Sequence, residues 1–100
     1  MIRHIVLFRW NEDASPEDRV KTVEAFRGLA EVIPGVHDLY VGTDIAGRGT
    51  FDWGLTCDFS STEDVAAYSG HPAHKAAIKA YIEPNVQPAM EVLDFEFEQR

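Results

Sequence analysis

Hydrophobic residues alternate with two-residue spacing in four places along the chain and recur with three- and four-residue spacing in between. In the first stretch, from Arg3 to Trp10, one face carries His4, Val6, Phe8 and Trp10 and the other Arg3, Ile5, Leu7 and Arg9. Both faces are largely apolar, which predicts a central strand covered on both sides. Residues 11–14 form a loop. Ser15, Pro16, Glu17 and Asp18 then read as an N-cap, a first-turn proline and two acids at the positive end of a helix. Val20, Val23, Phe26, Ala30 and Ile33 make its inward stripe, Arg19, Lys21, Glu24, Arg27 and Glu31 face mostly outward, and Pro34-Gly35 stops it.

A second strand is expected over Val36 to Thr43, then a flexible connection over Ile45 to Thr50 with Gly47, Arg48 and Gly49. The third strand places Phe51, Trp53, Leu55, Cys57 and Phe59 on one face, with Asp52, Gly54, Thr56 and Asp58 opposite. Ser61 opens a second helix with an acid three residues on, a weak capping box, and that helix turns Val65 and Tyr68 inward. Gly70 is expected to end it in a left-handed conformation, and Pro72 to start a further helix that runs to Ile82. Pro84 and Pro88 are expected to break the chain before a last strand over Met90 to Phe97, with Met90, Val92, Asp94 and Glu96 on one face.

Strand, helix, strand, strand, helix, strand is the order of the split β-α-β, ferredoxin-like sandwich, an α+β fold with four antiparallel strands and helices on one face of the sheet. The bare face would then show Ile5, Leu7, Leu93, Phe95 and Phe97. A stripe that apolar predicts a homodimer packed sheet against sheet.

One hundred residues make a single domain, residues 1–100. Seventeen acids against nine Lys and Arg give a net charge of -8, spread along the chain, which argues against nucleic acid or an anionic membrane as a partner. The single cysteine, Cys57, has no partner within the chain, and no stretch reads as a signal peptide or membrane span, so the expected location is the cytoplasm.

Candidate chemistry gathers in Tyr68-Ser69-Gly70-His71-Pro72-Ala73-His74, which holds two of the four histidines where one helix gives way to another. The break can turn Tyr68 and His74 toward a common space. His74 has the pKa range of a general base, and Tyr68 could donate a hydrogen bond to an oxygen on which charge develops. That pair suits proton abstraction beside a carbonyl and needs no cofactor. His4 and Asp94 should be neighbours on the first and last strands, where the carboxylate would hold the imidazole in one tautomer. Each pair also has a purely structural reading, as satisfied polar groups at a helix junction or on a strand face. No metal site is expected, because His71 and His74 lack the one-turn spacing of helical zinc motifs. His37 reads as a surface residue, residues 47–49 as an ordinary connection and Cys57 as core.

The opening residues 4–10, Ile33-Pro34-Gly35-Val36, Val41-Gly42, Asp58-Phe59-Ser60-Ser61 and Tyr68 with His71-Pro72-Ala73-His74 resemble the stress-responsive A/B-barrel (Dabb) family over nearly the whole length. The resemblance implies a dimeric α+β barrel of ferredoxin-like protomers. In a plant polyketide cyclase of that family the catalytic histidine and tyrosine fall on His74 and Tyr68, and polar pocket residues on His4 and Asp94. Trp53 stands where that enzyme has another pocket histidine and Phe26 where it has a tyrosine, which implies a bulkier, less polar cavity. The ligand-lining set expected here is His4, Asp94, Val6, Phe8, Phe26, Trp53 and Leu55, around a small, largely apolar carbonyl or polyketide-like compound. Aldol cyclase or lyase chemistry without a cofactor is one expectation. A non-catalytic homo-oligomeric stress-response or ligand-storage protein is the other.

Overall fold

β-branched and aromatic residues crowd the start of the chain, and β1 (Ile2–Phe8) forms there. The computed structural model describes residues 1–98. α1 (Pro16–Arg27) starts where Ser15 Oγ accepts the Asp18 amide, and it is followed by the short α2 (Leu29–Val32). Gly35, at φ 92°, makes the left-handed turn that leads into β2 (Leu39–Thr43). β3 (Trp53–Phe59) precedes α3 (Thr62–Gly70), capped by Ser61, and α4 (Pro72–Ala77). A π-helical turn over Ile78–Ile82, the single turn α5 (Glu83–Asn85) and β4 (Glu91–Glu96) complete the order.

The sheet runs β2-β3-β1-β4, with every pairing antiparallel. This is the expected α+β, ferredoxin-like arrangement. β1 is interior, so His4 lies opposite Cys57 on one side and Asp94 on the other. Helices cover the face of Val6, Phe8, Leu55, Cys57 and Phe59, all of them buried. Phe8, Trp53 and Trp10 stack in that core with centroids 4.2 and 4.7 Å apart.

Several expectations need correction. β1 is covered by its own chain on one side only: Leu7 is exposed on the bare face beside Leu93 and Phe95. Val20 is 58% exposed, because the buried contact of α1 turns on Phe26 and on Thr22, whose hydroxyl donates to the Asp18 carbonyl at 2.8 Å and so loses nothing by burial. Arg19 folds back over the Trp10 ring, 5.6 Å from its centroid. Gly70 has no positive φ. The stop comes from His71, held extended at φ -66°, ψ 138° because a residue before proline is driven out of the helical region. Pro84 does not break the chain: it sits in the first turn of α5, just after the π turn, a place where a proline is tolerated.

Candidate active site

The α3–α4 junction lies over the helix-covered face of β1, and a cavity of about 260 Å³ opens between them. The sheet and α1 supply Val6, Phe8, Leu55, Val92 and Phe26, and Ile78 and Met90 add to the lining. Four polar side chains reach it: His4, Tyr68, Ser69 and His74. No lysine or arginine is among them, so nothing in the lining matches the charge of a carboxylate or phosphate.

Tyr68 is at the centre. It is 1% exposed, its ring packs on Phe59 with centroids 5.4 Å apart, and the His74 ring stands 4.6 Å away. His74 in turn meets the edge of Phe26 at 6.2 Å, and His4 lies 6.1 Å from Tyr68. The Tyr68 hydroxyl is buried, and among the described residues no nitrogen or oxygen partners it; the Cys57 thiol, a weak partner, is its polar neighbour. A buried hydroxyl so weakly satisfied costs about 1–3 kcal/mol, and Tyr68 is one of the residues that line the cavity.

Burial sets the protonation states. It pushes the Tyr68 phenol far above its ordinary value, and the neighbouring Cys57 adds to the rise, so the phenol keeps its proton. Burial likewise pushes the Cys57 thiol up to about 12. His74 moves the opposite way: burial lowers its pKa, the backbone of Ser69 partly opposes that, and His4 lowers it further. Near neutrality His74 is therefore an uncharged imidazole beside a protonated phenol. His4 Nδ1 lies 2.5 Å from Asp94 Oδ1, the pairing expected from the antiparallel register.

A match to the Stress responsive A/B Barrel Domain covers residues 2–97. The chain belongs to this family. An uncharacterised Streptomyces coelicolor protein is 33% identical over 86 residues, which are 83% of this chain and 89% of that protein. A dimeric ferredoxin-like protein of unknown function from Thermobifida fusca, solved as a crystal structure, is 31% identical, with a TM-score of 0.83 over 96% of this chain and 90% of its own. The hydroxynitrile lyase of Passiflora edulis has a TM-score of 0.85 over 99% of this chain and 94% of its own; at 19% identity that likeness is one of fold.

Within this A/B-barrel chain, His4, Val6, Phe8, Phe26, Leu55, Tyr68 and His74 stand together around the cavity. Asp94 is one step back, behind His4, and Trp53 is stacked between Phe8 and Trp10, outside the lining. The lining also holds Ser69, Ile78, Met90 and Val92, which the sequence reading did not assign to it. Ile78 could have been found, since it follows His74 by one helical turn. His71 accepts the Ala73 amide and His37 meets the Ser60 hydroxyl at 2.7 Å. Among the described residues no group of three or more His, Cys, Asp or Glu gathers as a metal site, and no helix is long and apolar enough to cross a membrane.

Proposed function

We propose that this A/B-barrel protein binds a small, uncharged, largely apolar carbonyl compound in the cavity and performs general acid–base chemistry on it without a cofactor. One observation carries the reading: the Tyr68 hydroxyl is a buried, protonated donor with no nitrogen or oxygen partner among the described residues, beside a neutral imidazole, next to a cavity lined mostly by apolar residues. A carbonyl oxygen hydrogen-bonded to Tyr68 places the adjoining carbon near His74. The imidazole takes a proton from that carbon, the C–H electron pair moves into the new enolate, and Tyr68 stabilises the charge that builds on oxygen. His4, oriented by Asp94, adds a second polar group at the same end. Proton removal beside a carbonyl serves aldol-type cyclisation and its reverse, a lyase reaction. A lyase among the proteins of the same fold supports that class of chemistry and leaves the substrate open.

The assembly proposed is a homodimer through the bare sheet face, with Ile5, Leu7, Leu93, Phe95 and Phe97 at its centre. Dimeric relatives and the exposure of Leu7, Leu93 and Phe95 support it. A buried, unpaired Cys57 suits a reducing, cytoplasmic setting.

A thermal-shift screen of wild type and His74→Ala against phenols, β-diketones and polyketide-like acids tests the reading. A ligand at about 100 times its dissociation constant adds ~2.7 kcal/mol, several degrees for a domain of this size. Neutral carbonyl compounds should raise the melting temperature of wild type and raise it less in His74→Ala. If no compound shifts wild type, and the variant merely melts earlier, the cluster is structural and assembly or storage is the better account.

A further inference from the structure

α3 and α4 are joined by one residue. Gly70 ends the first helix, Pro72 begins the second, and only His71 lies between them. Its backbone N–H donates to the Tyr68 carbonyl at 3.2 Å, its carbonyl accepts the Lys75 amide at 3.0 Å, and its side-chain Nδ1 accepts the Ala73 amide at 3.0 Å. His71 thus bonds to the backbone of Tyr68 on one side and to the residue immediately before His74 on the other.

Proline at 72 fixes only part of this geometry. It keeps His71 out of the helical region, but the extended region it leaves is broad. Within that range the direction in which α4 departs from α3 follows the dihedral angles of residue 71. The imidazole bond to Ala73 selects one setting, because it closes only when residue 71 stands in N-cap geometry. An N-cap acceptor is usually supplied by Ser, Thr, Asp or Asn. Nδ1 is as many bonds from the backbone as the oxygen of Asn, so it can take the same place. An acceptor nitrogen carries no proton, which assigns the proton of neutral His71 to Nε2.

We infer that His71 is the positioning residue of this site: by capping α4 with its imidazole it holds the Tyr68 and His74 rings at their 4.6 Å separation. His71 lines none of the cavity and acts only through the two residues it bridges. The inference builds on the proposed site, but its test needs no ligand, so it can fail while the proposed chemistry stands, and the reverse.

The experiment is a histidine-ring NMR comparison of wild type, His71→Ala, His71→Asn and His71→Gln in the full chain. In wild type the Tyr68 ring displaces the His74 carbon-bound proton signals from their free-imidazole positions, and Tyr68→Leu measures that displacement by removing it. His71→Ala should lose most of the displacement, and His71→Asn, which restores an acceptor at the same reach, should regain it. Should His71→Ala fail to fold, His71→Gln serves in its place, since its oxygen is one bond too far out. Unchanged His74 signals in His71→Ala, or in Gln if Ala does not fold, would overturn the inference. So would a folded His71→Asn that leaves the displacement lost.

Discussion

His4 Nδ1 and Asp94 Oδ1 stand 2.5 Å apart, tying the interior strand of the sheet to its exposed edge. β4 is exposed on both faces and is held by its backbone ladder to β1 and by this contact. A hydrogen bond with a charged partner contributes about 1.5–3 kcal/mol, but the Asp94 side chain is 47% exposed and water screens it, which brings the figure down to about 1 kcal/mol. Asp94→Asn should lower unfolding stability by about that amount and speed amide exchange over residues 91–96, with the Tyr68–His74 contact unchanged. Urea denaturation and native-state exchange check both parts.

Removing the Tyr68 hydroxyl should not destabilise the protein. Among the described residues it has no nitrogen or oxygen partner to lose, and the contact with its neighbour Cys57 is a weak one. Tyr68→Phe is expected to lie between no change and a gain of about 1 kcal/mol, measured by chemical denaturation. A loss of more than ~1 kcal/mol would show that the hydroxyl is satisfied within the protein and is not held for a ligand.

His74 gives the site its dependence on pH. Its folded-state pKa lies below the ordinary histidine value of about 6.5, chiefly because of burial. Between the two values the unfolded chain binds the extra proton and the folded one does not. The stability linked to His74 is therefore fully present above the unfolded value and is lost as pH falls through the folded one. Carbonyl binding should weaken over the same acid range as the imidazole gains charge. An NMR titration should place the His74 midpoint below that of an unfolded reference, and His74→Asn should flatten this part of the stability profile. A midpoint above the reference would refute the assignment of a neutral base.

The strand order and the facing of nearly every strand residue could be read from two-residue alternation, because β1, β2 and β3 each bury one face. Exposure at the edge could not. Val92 shares a face with Val6 but is 56% exposed, since the helices do not extend over β4. Helix facing was less readable: Thr22 takes a core place that periodicity gave to Val20, because a backbone carbonyl satisfies its hydroxyl. The Tyr68–His74 pairing could be read from one glycine, one proline and the spacing between them. What could not be read is that Gly70 takes no left-handed conformation and that the imidazole of His71 caps α4. Arg3 and Asp58 face one another on neighbouring strands and form a two-point ion pair at 2.8 and 3.0 Å, visible only once the register is known.

The bare sheet face allows a separate test of assembly. Leu93 and Phe95 are exposed, so a charge there adds no strain to an isolated protomer. Leu93→Asp with Phe95→Glu should halve the mass seen by light scattering and leave the far-ultraviolet circular dichroism unchanged. A doubly charged variant that remains a dimer would place the interface elsewhere.

The most direct measurement is deuterium exchange at the carbon beside the carbonyl of a small apolar methyl ketone in deuterated buffer, followed by proton NMR with wild type, Tyr68→Phe and His74→Ala. Wild type should accelerate the exchange, Tyr68→Phe should fall by roughly 10²–10³, as expected for the loss of one donor to a developing oxyanion, and His74→Ala should return to the uncatalysed rate. Equal rates in all three proteins would contradict acid–base catalysis by this pair.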